Sequence, residues 1–195
     1  MFSLIVMESL TALIKHFWPT VTPDFEVAFQ EAVVREEIPK KTVILQEGQV
    51  ARKMYFVEKG CLRGYYLKEG TEVNSWFMKE GDFVISIVSF YTQHPSEELI
   101  ETLEDCVLWS ISYQRLHQLY LQHPGFNQVG RLLTERYYVL SEQRTQSLRK
   151  KTADERYRQL ITSFPDISKR IPLKYIASYL GITSETLSRL RAKNW

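Results

Sequence analysis

The sequence predicts an α+β protein: an N-terminal antiparallel β-roll or jelly roll flanked by helices, then a long helix, then a small C-terminal helix-turn-helix. Three observations predict it. From Lys41 to Ile111 the chain runs in short β-rich stretches separated by glycine turns, the spacing of an antiparallel sandwich or roll. An apolar stripe of helical period follows Pro124 and runs towards Lys150. The last quarter is strongly basic and holds two short amphipathic segments joined at Gly181.

Taken in order, a first helix is expected over roughly Glu8–Phe17 and a second from Thr22-Pro23 to about Arg35, with threonine as N-cap and proline in the first turn. The expected strands are Thr42–Gln46, Met54–Glu58, Cys61–Leu67, Asn74–Met78, Phe83–Ile87, Leu99–Leu103 and Val107–Ile111. Their turns are Glu47-Gly48, Lys59-Gly60, Glu69-Gly70 and Glu80-Gly81. Ser112 is the N-cap of a helix to about Gln122, and the long helix covers roughly Gly125–Lys150. Phe126, Val129, Leu133, Tyr137 and Leu140 form its stripe, which suits docking on the roll or pairing with the same helix of a second chain. Pairing is the expectation, with those five residues as the dimer interface. Thr152-Ala-Asp-Glu155 is a capping box that opens the next helix. The domain boundary therefore falls near Lys150–Thr152, giving an effector domain over 1–150 and a helix-turn-helix domain over 151–195.

Composition narrows the function. The chain has 195 residues with 44% hydrophobic and 25% charged, an ordinary balance for a globular protein. The apolar Met1–Val6 run is short, is soon followed by Glu8 and has no basic segment before it, so it reads as neither a signal peptide nor a membrane span. A cytoplasmic location without membrane association follows. Cys61 and Cys106 are expected as reduced thiols in strands, with no disulfide framework, metal site or cofactor. The net charge of +2 hides an asymmetry: residues 1–143 carry 13 Lys/Arg against 19 Asp/Glu, and residues 144–195 carry 12 against 4. A basic module on an acidic body suits a phosphate backbone, so double-stranded DNA is the expected partner.

The helix-turn-helix spans Leu173–Leu190. Ile176, Ala177 and Leu180 give the first helix one apolar face, Gly181 supplies the turn, and Ile182 plugs the corner. Thr183 caps the second helix, while Leu187 and Leu190 bury its inner side. Ser184, Glu185, Ser188 and Arg189 point outwards and suit a major groove. Arg189 has the donor pair for a guanine edge; Glu185 suits either a cytosine amino group or the helix dipole. Thr183 and Thr186 suit phosphate contacts, and Lys169, Arg170, Lys174, Arg191 and Lys193 supply sequence-independent attraction.

This order of elements resembles the Crp/Fnr family of bacterial regulators over essentially the whole chain. The pieces that carry the resemblance are Gly60-Cys-Leu-Arg-Gly-Tyr-Tyr66, Glu80-Gly-Asp-Phe83, Trp109-Ser-Ile-Ser-Tyr113 and Gly181–Arg189. The last looks like the family's Gly-x-Ser-x-Glu-Thr-x-x-Arg segment. The resemblance implies that Ser184, Glu185 and Arg189 read DNA and that the long helix dimerises. It also implies a cyclic-nucleotide-binding-like effector domain and transcription regulation by a homodimer.

Two departures shape the expectation. Members that bind cyclic AMP carry Gly-Glu-Leu and then Arg-Ser/Thr-Ala, whereas this chain has Phe83-Val-Ile-Ser-Ile87, with Ser86 in place of the glutamate, and Pro95-Ser-Glu-Glu98 without an arginine. Carboxylates there repel a phosphate, so loss of cyclic-nucleotide binding is expected. An effector, if used, is an unidentified and uncharged small molecule, with Arg63, Tyr65, Trp76, Ser86 and Tyr137 as lining residues. The family's β-hairpin wing is also expected to be missing, since the sequence ends at Trp195, which would weaken or thin the DNA contacts. Two other readings fit parts of the sequence. A ligand-binding roll whose helix-turn-helix no longer reads DNA draws on the missing wing. An enzyme on the same roll, as in the cupins, would need a His-x-His that the chain lacks, so no enzyme activity is expected.

Overall fold

The computed structural model describes residues 2–193, and the side chains of residues 10–192. The N-terminal apolar run and the end of the chain, where the wing was expected to be missing, fall partly or wholly outside those residues.

Helix α1 (Phe2–Phe17) and α2 (Pro23–Ala32) open the fold. Pro23 takes the first helical position, and Thr22 precedes it in extended geometry without a side-chain cap bond. The expected continuation of this helix to Arg35 is overturned: Val33–Ile38 is a strand, β1. The valine pair at its start favours extended backbone, and pairing with a later strand outweighs the helical pattern upstream.

Seven further strands follow: β2 (Val43–Leu45), β3 (Lys53–Lys59), β4 (Leu62–Lys68), β5 (Thr71–Met78), β6 (Phe83–Val84), β7 (Leu99–Thr102) and β8 (Cys106–Ser112). They form two four-stranded antiparallel sheets, in the orders β1-β8-β3-β6 and β2-β7-β4-β5. Crossovers between neighbours distant in sequence make this the expected roll. The tight β4–β5 turn uses Glu69 and Gly70, both at positive φ. Cys106 lies in β8, but Cys61 sits one residue before β4; both are free and buried.

The expected strand Phe83–Ile87 is likewise corrected. Only Phe83–Val84 pairs; Ile87–Thr92 is a helix, α3. Its single turn sinks Ser89 and Phe90 and leaves Ile87 and Val88 in solvent. Period alone does not decide between helix and strand in so short an apolar run.

Helix α4 (Tyr113–Gln122) starts at Ser112, whose side chain accepts from the Arg115 amide. Helix α5 spans Phe126–Lys150, and α6 (Ala153–Ser163) opens on the expected Thr152/Glu155 capping box. Then come α7 (Ile167–Arg170), α8 (Leu173–Leu180) and α9 (Ser184–Lys193).

Two apolar cores result. One joins the sheets to α1, α2, α4 and the start of α5 through Phe25, Val57, Leu62, Phe90, Leu108 and Phe126. The other holds α6–α9 together through Tyr157, Ile167, Ile176, Leu180 and Leu187, and it also takes in Cys61 and Leu103 of the roll. Packing thus crosses the boundary expected near residue 150. Among the described residues no helix is long and apolar enough to cross a membrane.

Candidate nucleic-acid interface and its joint with the roll

The corner between α8 and α9 is built as its residues require. Gly181 caps α8 at φ 65°, ψ 39°, a left-handed conformation that glycine adopts without a Cβ penalty. The amide of Ile182 then returns to the Ala177 carbonyl at 3.1 Å. Leu187 is buried on the inner side of α9. Thr183 Oγ1 accepts from the Thr186 amide at 3.2 Å, so it caps the helix.

The outward residues expected to read DNA are in solvent: Thr183, Ser184, Glu185, Ser188 and Arg189 are exposed and Thr186 is half-buried. Lys174 is exposed at the start of α8. Arg189 leans back to Thr186 Oγ1 at 3.3 Å, a weak contact that leaves its guanidinium free to turn outwards. Glu185 lies in the first turn of α9, where its own amide and the Thr183 hydroxyl hold its carboxyl below the usual range. That geometry fits the dipole role open to it from sequence.

The inner side of this module is fastened to the roll by polar contacts that the sequence did not suggest. Arg170 of α7 forks onto Glu80 and Glu104, with four N–O distances of 2.6–2.9 Å. Arg63 of β4 is buried, bonded to Glu72, Glu101 and Asn74, and sandwiched between the rings of Tyr65 and Tyr175 at 3.9 and 3.8 Å. Ser178 in the middle of α8 accepts from the Asn74 amide at 3.0 Å and donates to the Glu72 carbonyl at 3.2 Å. Arg144 of α5 lies 3.7 Å over the Tyr179 ring and donates to the Tyr179 carbonyl. Asn74 Nδ2 is buried at this joint with no partner.

The residues expected to line an effector pocket separate into three places. Arg63 and Tyr65 belong to the joint. Trp76 and Ser86 meet Glu98, donating to its carboxylate, and Ser86 also bonds Ser96 at 3.0 Å. Burial pushes the Glu98 carboxyl above its usual value against those hydrogen bonds. Tyr137 sits on α5 and its hydroxyl accepts from the Phe83 amide at 2.9 Å. An apolar cavity of about 70 Å³ lies elsewhere, lined by residues that include Phe29, Met54, Phe83, Trp109 and Leu133.

On α5 the expected dimer stripe divides. Phe126 and Val129 are buried in the protein's own core, and Leu133 and Tyr137 are half-buried. Leu140 is exposed, as is Leu148, to which the stripe continues weakly, along with Tyr138 and Val139, which the stripe had not included.

Residues 35–123 match the cyclic nucleotide-binding domain family. Among curated proteins, the chain is 28% identical over 171 residues to the fumarate and nitrate reduction regulatory protein of Vibrio cholerae, covering 80% of this chain and 66% of that one. The chain thus spans about two thirds of the length of the curated relatives it matches. Among solved structures it superposes on FixK2 from Bradyrhizobium japonicum with a TM-score of 0.69 and 21% identity, over 83% of each chain. A regulator assigned to the crp/fnr family from Eubacterium rectale gives 0.69 at 18%, over 89% of this chain and 83% of that one. At those identities the structural likeness speaks for a shared fold.

Proposed function

We propose that the chain is a Crp/Fnr-type DNA-binding transcription regulator that acts in the cytoplasm as a homodimer, a reading supported by its cyclic nucleotide-binding domain match and its similarity to regulatory proteins. One observation carries this reading. The second helix of the helix-turn-helix presents Ser184, Glu185, Ser188 and Arg189 to solvent, while the first helix is the one spent on holding the module to the roll. The face that has to enter a major groove is therefore unobstructed by the other described residues.

The dimer is supported by α5. Between residues 134 and 143 every residue but Tyr137, which is bonded to the Phe83 amide, is exposed, so this stretch turns most of its surface to solvent. Tyr138, Val139, Leu140 and Leu148 supply apolar surface for a second copy, with Leu140 from the expected stripe among them. Two copies paired there would present two recognition helices to successive turns of a partly palindromic site.

Cyclic AMP is not the effector in this reading. Where a phosphate would be held, Glu98 is already bonded by Ser86 and Trp76, and the only arginine of the expected pocket, Arg63, is committed to Glu72 and Glu101. A buried anion beside Glu98 would lack a counter-charge.

Selection of genomic fragments by the purified full chain tests the regulator reading. A recurring, partly symmetric motif is the expected result; fragments recovered without any shared sequence, at low and at moderate salt, would refute it. Sedimentation of wild type and Leu140→Glu reports on the dimer, and addition of cyclic AMP to the binding reaction should leave affinity unchanged.

A further inference from the structure

Beside the joint, between the turn joining β1 to β2, strand β7 and the segment joining α7 to α8, lies a cleft of about 430 Å³. Its size is that of a small-ligand site. Buried Leu103 and Ile171 and the half-buried ring of Tyr175 give it an apolar wall. Lys40, Lys41 and Lys169 also line it, and all three are exposed.

The charges around the cleft are unevenly matched. Glu101 is taken by Arg63, and Glu80 and Glu104 are taken by Arg170. Asp105 accepts the Lys40 amide at 2.8 Å. Among the described residues the ammonium groups of Lys40, Lys41 and Lys169 have no ion pair and no hydrogen bond. Lys41 is also held at φ 64°, a left-handed backbone conformation uncommon for a residue other than glycine. Three unmatched cations converge on one apolar-walled cleft.

We propose that this cleft binds a small organic dianion, its phosphate or carboxylate groups on the three lysines and its apolar body against Leu103, Ile171 and Tyr175. Lys40 and Lys41 belong to the roll, whereas Lys169 belongs to the helices that carry the recognition module. A bound dianion bridges the two and stabilises their docked arrangement by mass action. The regulatory consequence rests on the reading of the chain as a DNA-binding regulator; occupancy of the cleft does not.

Calorimetric titration of the full chain with phenyl phosphate, and separately with phthalate, tests this and tells a phosphate site from a carboxylate site. At least one should bind saturably, one per chain, with sodium chloride at matched ionic strength producing no such signal. Lys40→Gln/Lys41→Asn should weaken that binding at least tenfold, as should Lys169→Gln, while each variant keeps a cooperative unfolding transition. Asparagine at 41 tolerates the left-handed backbone. Hydrogen exchange in α7 and α8 should slow with ligand in the wild type. Absence of saturable binding by both compounds, or full affinity in the variants, overturns the proposal. So does a loss of DNA affinity and salt dependence in Lys40→Gln/Lys41→Asn without any small anion, since the lysines would then be contacts to DNA phosphates. Saturable binding with no DNA motif recovered leaves the cleft assigned and removes the regulator reading.

Discussion

Arg170 and Glu104, 66 residues apart in the chain, are joined by two hydrogen bonds, Nε to Oε1 at 2.9 Å and Nη2 to Oε2 at 2.6 Å. The same guanidinium reaches Glu80, so one side chain ties the module of α6–α9 to two different turns of the roll. Such planar two-pronged contacts are specific to arginine.

Arg170→Gln should therefore loosen the joint without unfolding either core. A loss of about 1–3 kcal/mol is expected for charge-assisted bonds at a partly buried site. Limited proteolysis should cut sooner between α5 and α8, while denaturant unfolding of the roll shifts little. Identical cleavage patterns in variant and wild type would show that the fork adds nothing to docking.

Arg63 offers a harsher test, because it is only 2% exposed. Arg63→Ala strands Glu101 and removes the guanidinium that lies between the rings of Tyr65 and Tyr175. The expected cost is about 3 kcal/mol, at the low end for a buried pair because Glu72 stays partly in water. Urea titration measures it, and Arg63→Lys should recover less than half.

Gly64→Ala should destabilise the roll for a steric reason. A Cβ there would lie 2.1 Å from Trp76 Cε2, and the indole would have to leave its place beside Glu98. Overpacking of this kind costs about 1–3 kcal/mol. Trp76 fluorescence should change with the melting temperature; an unchanged spectrum and melting point would contradict the packing.

Arg189→Ala should relax discrimination at one base pair in each half-site, by about 1–3 kcal/mol, with the salt dependence of binding nearly unchanged. Replacing Lys174 by alanine should do the reverse, weakening all sequences alike and flattening the salt slope. Competition binding with single-substituted sites separates the two.

Acid should open the joint before it unfolds the roll. The hydrogen bond from Arg63 holds the Glu72 carboxyl below its ordinary value of 4.5; at Glu80 partial burial pushes upwards, but the Arg170 bond, the backbone amides of Glu80 and Gly60 and the Arg170 charge together outweigh it and hold that carboxyl low as well. A carboxyl depressed in the folded state contributes stability in full above its unfolded value and loses it as pH falls through the folded one. Hydrogen exchange in α7 and α8 should thus rise below about pH 4.5, first in the module. Glu98 has the opposite sign: its carboxyl is raised by burial, so Glu98→Gln should raise the melting temperature at pH 7 and lose that advantage in acid.

Much of this fold was legible because its signals are local. The Thr152/Glu155 capping box, Ser112 and Gly181 each act within a few residues, and each ends or starts a helix where the sequence placed it. The strand Val33–Ile38 was not legible, since it depends on β8, more than sixty residues further on. The helix at Ile87–Thr92 was hidden in an apolar run too short to show a period. On the candidate interface, outward placement of Ser184, Glu185, Ser188 and Arg189 followed from helical spacing. The joint beneath it did not, because Ser178 and Asn74 are 104 residues apart and nothing near either names the other. Arg63 shows the cost of that distance: a conspicuous arginine in the roll suggested a pocket, and it serves the seam instead.

Helix α5 has 25 residues and is about 37 Å long. Its near end is sunk in the roll through Phe126 and Val129, and its far end grips the last module through Arg144 and through Ser147, which bonds Gln159 at 3.3 Å. Such a strut acts as a lever. A tilt of about 5° where it is rooted would swing its tip by roughly 3 Å, the length of one hydrogen bond. The grip on Tyr179 and Gln159 then either drags the recognition helix along or lets go, so small displacements beside Phe83 and Tyr137 are magnified at the surface meant for DNA.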